Sequence, residues 1–89
     1  MNNQMIVKIE KCLERLKQKP IQISQNGFIM NQFFIDKLMY KIQGDILNLR
    51  DEANEAYLSL NLNQVYQIEI GENRIILFLD NDTEIEISL

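Results

Sequence analysis

The sequence predicts an α+β domain, with an amphipathic N-terminal helix packed on a strongly bent antiparallel sheet of about five strands. Two patterns carry this reading. Up to Leu16 the apolar residues recur at helical spacing, and from Ile21 onward they alternate with polar residues in short runs separated by turn-forming clusters. With 89 residues, 46% apolar and 25% charged, the chain supplies one hydrophobic core and is too short for two. A single domain over residues 1–89 is therefore expected, with the helix at about 4–18 and the β-rich region at about 20–89.

In the helix, Met5, Ile6, Ile9, Cys12, Leu13 and Leu16 form one apolar stripe, while Lys8, Lys11, Arg15, Lys17 and Lys19 share the segment with Glu10 and Glu14 as a solvated, salt-bridged face. Asn2 or Asn3 supplies a cap. Pro20 bars continuation past Lys19, because it lacks an N–H and clashes with the preceding turn. Ile21 and Ile23 then alternate with polar residues up to Asn26-Gly27, the pair best suited to the positive φ angles of a two-residue type I′ hairpin. Such a loop sets Ile23 opposite Met30 and Ile21 opposite Gln32, with Phe28 and Met30 on the isoleucine face.

The stretch from Asn31 to Gly44 fits two templates: Ile35, Leu38, Met39 and Ile42 match a helix stripe, whereas Leu38, Tyr40 and Ile42 match a strand. A strand through Leu38 to Leu49 is the preferred reading, since Tyr, Ile and Leu continue past Gly44. Asp51 to Glu55 is a polar break, after which Leu58, Leu60 and Leu62 alternate with Ser59 and Asn61 as a half-buried strand.

A final meander follows. Tyr66, Ile68 and Ile70 alternate with Gln67 and Glu69, Gly71-Glu72-Asn73 turns the chain into Arg74 to Leu79, and Asp80 to Thr83 turns it into Ile85, Ile87 and Leu89. A two-residue turn at Asn81-Asp82 pairs Ile85 with Phe78 and Ile87 with Ile76. A three-residue turn at Gly71 to Asn73 puts Tyr66, Ile68 and Ile70 on that same face. On this register Ile75, Leu77 and Leu79 form a row on the reverse face. Each contributes about 1.5–3 kcal/mol if buried, so the row requires a cover from the helix, the middle segment or another chain.

Composition narrows the chemistry. The net charge of −4 and the absence of a basic run argue against capture of nucleic acid, which rests on Lys and Arg neutralising phosphates. With no His and a single Cys, neither a structural zinc site nor a Ser-His or Cys-His nucleophile can be assembled. Three glycines, none in a phosphate-loop spacing, supply no cradle for phosphates. Lys8, Glu10 and Lys11 interrupt the apolar N-terminal residues, and no apolar stretch approaches the length of a membrane span, so a cytoplasmic location without membrane contact is expected.

The remaining motifs have structural readings. Cys12 lies on the helix stripe and is expected in the core. Asp80, Asp82 and Glu84 lack the turn glycine and distal glutamate of a calcium loop and read as a solvated hairpin tip. Asp51, Glu52 and Glu55 read as a solvated loop rather than an acid–base pair, because nothing apolar adjoins them to raise a pKa. The aromatic residues Phe28, Phe33, Phe34, Tyr40, Tyr57, Tyr66 and Phe78 lack the basic groove of a base-stacking platform and are read as core. Phe33 and Phe34 are the exception, since neighbours on a strand face opposite ways and one of the two is a candidate interface residue. No catalytic residue, cofactor or metal ligand is assigned.

A helix followed by strongly bent antiparallel strands with short turns resembles the small barrels of the Sm and SH3 type at the level of fold. The glycine-containing RNA-binding signature of the Sm family is missing after Ile70, so the resemblance implies no RNA binding. The function expected is that of a non-catalytic protein-interaction module, self-associating as a homo-oligomer or docking on a partner through Ile75, Leu77 and Leu79, a sheet edge, or Phe33 and Phe34. Two alternatives stand beside it. One is a small acidic phage-type inhibitor of a nucleic-acid-handling or defence protein, with Glu69, Glu72, Asp80, Asp82, Glu84 and Glu86 forming one patch. The other is a small-ligand binder with a pocket between protomers or at a barrel mouth.

Overall fold

The computed structural model describes residues 3–27, 30–52 and 57–89, with the side chain of Tyr57 outside that description. Expectations for Asn2, Phe28 and Glu55 also fall outside it. Among the described residues the chain forms a helix, α1 (Asn3–Leu16), and eight strands: β1 (Ile21–Asn26), β2 (Asn31–Ile35), β3 (Leu38–Gln43), β4 (Ile46–Asp51), β5 (Tyr57–Asn61), β6 (Val65–Ile70), β7 (Arg74–Leu79) and β8 (Glu84–Ser88). A 3-10 turn, Leu62–Gln64, joins β5 to β6.

The strands make two antiparallel sheets, one of five strands in the order β2-β1-β8-β7-β6 and one of three in the order β3-β4-β5. The α+β reading holds, but the sheet does not close into a barrel of the Sm or SH3 type. Two breaks separate the sheets. Between β2 and β3 the chain turns a corner at Asp36-Lys37, and the backbone N–H groups of both residues donate to the carboxylate of Asp51, at 3.1 and 3.2 Å. Between β5 and β6 the 3-10 turn redirects the chain. There the Leu62 N–H makes the last rung of the β4–β5 ladder, to the Asp45 carbonyl, and the Asn61 side chain accepts from the Asn63 N–H inside the turn.

Asp51 therefore corrects one expectation. It is a buried end-of-strand residue whose carboxylate satisfies two backbone donors at a corner, not part of a solvated loop. Glu52, next to it, is exposed and pairs with Lys37 at 2.9 Å.

One core joins three surfaces: the α1 stripe (Ile9, Cys12, Leu13, Leu16), the inner face of the five-stranded sheet (Ile21, Ile23, Ile35, Val65, Ile75, Leu77, Leu79, Ile85, Ile87) and the inner face of the small sheet (Leu38, Leu47, Leu49, Leu60). The segment from Leu38 is extended, but it is a hairpin and not a single strand to Leu49. Gln43 pairs with Ile46 across Gly44-Asp45, with Gly44 at φ +63°, the positive φ at the first turn position that a type II′ turn requires.

The first hairpin has a longer loop than the Asn26-Gly27 reading gives. Ile23 pairs with Phe33 and Ile21 with Ile35, and neither Asn26 nor Gly27 has a positive φ. The longer loop brings Ile35 into the core opposite Ile21 and leaves Met30 exposed. Gly27 serves close approach instead: a Cβ there would lie 3.0 Å from Thr83 Oγ1 and 3.2 Å from Thr83 Cα, in the β7–β8 turn.

The meander differs from its sequence reading in one strand. Ile75 pairs with Ile87 and Leu77 with Ile85, so Ile75 and Leu77 are wholly buried, Leu79 lies beside them, and Ile76 and Phe78 turn to the outer face. Both flanking turns are responsible. The β7–β8 loop has three residues, Asp80 to Asp82: the Leu79 N–H donates to the Thr83 carbonyl and Asp82 adopts φ +61°. The β6–β7 loop has two, Glu72 and Asn73, closed by the Gly71 N–H on the Arg74 carbonyl. Each shift is one residue, and together they invert β7 while leaving Ile85, Ile87, Ile68 and Ile70 on the side expected for them. A bulge between Val65 and Gln67 then throws Tyr66 outward, so that both Val65 and Ile68 reach the inner side.

Candidate interaction surfaces

The Ile75, Leu77 and Leu79 row is covered by the chain's own α1 and small sheet, which removes it from the candidate interface. The outward surface of the five-stranded sheet takes its place. Cross-strand partners share a face, so the register builds this surface row by row. The central row crosses all five strands as Gln32, Ser24, Glu86, Ile76 and Glu69; one flanking row runs Asn26, Glu84, Phe78 and Gln67, and the other Phe34, Gln22, Ser88 and Arg74. Tyr66 lies against Phe78, ring centroids 6.4 Å apart and tilted by 46°. α1 and the small sheet occupy the opposite side, where the core lies.

This surface collects most of the acidic residues singled out from the sequence. Glu69, Glu84 and Glu86 lie on it, and Asp80 and Asp82 on the β7–β8 turn that continues from Glu84. Glu72 lies apart, in the β6–β7 turn at the far end of the strands. Arg74 is the only Lys or Arg in the five strands; it reaches Glu86 at 3.7 Å, too long and too exposed for a strong pair. Of the two phenylalanines, Phe33 packs against the core and Phe34 is 71% exposed on edge strand β2. An open depression of about 320 Å3 is lined by Ser24, Asn26, Met30, Asn31, Gln32 and Glu86.

The small sheet turns a different surface outward. Met39, Lys41 and Gln43 alternate along β3, facing Arg50, Asn48 and Ile46 on β4, and a groove of about 470 Å3 is lined by Met39, Tyr40, Lys41, Asn48 and Arg50. The Arg50 guanidinium donates to the Met39 sulfur at 3.7 Å, and the Ser59 hydroxyl is hydrogen-bonded to Asn48. Among the described residues of the three strands no carboxylate belongs to this surface, because their one acidic residue, Asp51, pairs with buried Leu38 on the core side.

Between α1 and β3, the Tyr40 hydroxyl donates to Glu14 at 2.6 Å, and Lys17 holds the same carboxylate at 2.9 Å. These contacts, Lys17 first and Tyr40 second, keep the Glu14 pKa below the usual carboxylate range. Partial burial, reinforced by the hydrogen bond to Glu14, pushes the Tyr40 phenol up to about 12. Cys12 is buried; its thiol donates to the Arg74 carbonyl at 3.8 Å and its sulfur accepts from Arg15 at 3.7 Å, a tie between α1 and β7. Among the described residues no three His, Cys, Asp or Glu come together to hold a metal, and no helix is long and apolar enough to cross a membrane.

Ile76, Phe78, Tyr66 and Met30 belong to the outer surface and were not picked out from the sequence. No local signal separates Ile76 and Phe78 from Ile75 and Leu77, because the lengths of both turns flanking β7 decide which pair faces outward. No family model, curated protein or solved structure matches the chain.

Proposed function

We propose that the chain is a protein-interaction module whose outer five-stranded surface docks on a basic surface of a partner protein. The segregation of charge carries this reading. Glu69, Glu84 and Glu86 stand on five strands that contain one cation, Arg74, whereas the other eight Lys and Arg residues lie between Lys8 and Arg50, on α1, the small sheet and their connections. Carboxylates interleaved with Ile76, Phe78 and Tyr66 combine steering with contact area that salt does not screen. The depression beside Glu86 suits a Lys or Arg side chain: carboxylate, amide and hydroxyl oxygens accept from the head group, and Met30 lies alongside the methylene stem.

Surfaces that hold phosphates are basic, so a nucleic-acid-handling protein is the partner class this surface fits, and docking would exclude its nucleic acid. The test compares wild type with Glu84→Lys/Glu86→Lys and with Lys41→Glu/Arg50→Glu as immobilised baits in native-host extract, read by mass spectrometry. Proteins that are lost with the first variant, kept with the second and released by added DNA or RNA support the reading. Retention of the same proteins by Glu84→Lys/Glu86→Lys refutes it.

A further inference from the structure

We infer that the free edge of β2 pairs antiparallel with β2 of a second copy, joining two five-stranded sheets into one of ten strands. An edge strand presents a row of unpaired N–H and C=O groups, and soluble proteins blunt such edges with charge, proline, bulges or cover. The edges of this protein are treated unequally. On the other side of the large sheet, β6 carries a bulge at Val65/Gln67 and Glu69. In the small sheet β3 carries Lys41, and β5, uncharged like β2, exposes no large apolar side chain among those described and runs into the 3-10 turn. β2, Asn-Gln-Phe-Phe-Ile, has no charge, no proline and no bulge against β1.

The occupant is read from the strand itself. Met30 and Phe34 are the two most exposed large apolar residues described, at 77% and 71%. They stand two residues on either side of Gln32; Phe34 and Gln32 share the outer surface through their pairing with Gln22 and Ser24, and Met30, one residue before β2, lines the depression together with Gln32. An antiparallel pair centred on Gln32 therefore sets each Phe34 against Met30 of the other copy, a thioether–aromatic contact made twice by the two-fold axis. The strand carries its own complement, which no foreign peptide is required to supply. The net charge of −4 opposes association of two copies, but β2 itself carries no charged residue to add to it. Because each copy has one β2, the contact is isologous and closes at the dimer. The axis is perpendicular to the joined sheet, so both acidic surfaces point the same way; this consequence rests on the docking role proposed above, whereas the dimer itself does not.

Sedimentation of the full chain at about 100 µM tests it, a concentration at which edge pairing of modest area is populated. Wild type is expected at twice the 10.5 kDa chain mass, and Phe34→Lys and Gln32→Lys at the chain mass; at about 1 µM, below the range in which the dimer is populated, all three should share one urea midpoint, since both side chains are exposed. Gln32→Cys is expected to form a disulfide between copies under mild oxidation. Glu84→Lys/Glu86→Lys, which abolishes the proposed docking, should remain dimeric. A monomeric wild type overturns the inference. So does a dimer that survives both lysine substitutions, because it would be built elsewhere.

Discussion

Two hairpins of this protein reach the same result by different chemistry. The β3–β4 hairpin turns at Gly44-Asp45 with the positive φ on glycine, and beyond its two chain neighbours no residue comes within 4 Å of the position a Cβ would take. The β7–β8 hairpin turns through Asp80, Asn81 and Asp82 with the positive φ on aspartate. A glycine advertises a left-handed residue, whereas an Asp among other polar turn residues does not say which member of the run takes it. The difference matters because strand side chains alternate. One residue more in the acidic loop, matched by one fewer in the β6–β7 loop, exchanges the two surfaces of β7 and decides whether Leu77 or Phe78 is core.

The sharpest way to break that comparison is to truncate each surface of β7. Leu77→Ala, at a wholly buried position, is expected to lower stability by about 2–5 kcal/mol in urea unfolding, and Ile76→Ala by under about 1.5 kcal/mol. Equal losses would mean that β7 has no preferred surface. Asp51→Ala is expected to cost about 2–4 kcal/mol by the same measurement, because the Asp36 and Lys37 N–H groups lose a charged acceptor at the corner between the sheets. A near-neutral result would show that the corner is held by other contacts.

The turns themselves give smaller effects. Gly44→Ala is expected to cost about 1–2 kcal/mol through φ alone, since space is free there, and Asp82→Val a similar amount, with Asp82→Gly near neutral. If Asp82→Val is neutral, the three-residue loop and the inversion of β7 that follows from it are in error.

The smallest effect is a pH dependence. The Tyr40 pKa is raised, so the stability it contributes is fully present below the unfolded value of 10 and is lost as pH rises towards about 12. The Glu14 pKa is lowered, so its contribution is present above the unfolded carboxylate value and is lost as pH falls below it. Thermal melts of Tyr40→Phe should lack the alkaline slope and keep most of the acidic one, because Lys17 is the larger cause of the Glu14 shift.

Legibility followed the range of the physics. The α1 stripe is a local pattern with a proline stop, and all four of its buried residues, Ile9, Cys12, Leu13 and Leu16, were readable. The acidic residues of the candidate surface were readable as a charged group, with Glu72 the one that falls elsewhere. Its apolar members were not. Ile76 and Phe78 are no less hydrophobic than Ile75 and Leu77, and only the turn lengths distinguish them. Phe33 and Phe34 could be known to face opposite ways from strand geometry, but which of them is exposed required the register with Ile23.

The sequence by itself determined the α+β class, the helix and its buried stripe, the extended character of most later segments, and the acidic balance of the last third of the chain. These follow from periodicity and composition, which act over a few residues. Only the tertiary structure decided that the strands divide into two sheets rather than one bent barrel, that Asp51 is buried at their junction, and that Ile75, Leu77 and Leu79 face their own helix. Each of those depends on contacts between distant segments: a carboxylate placed on N–H groups 14 and 15 residues away, and a strand whose facing is set by both of its turns at once.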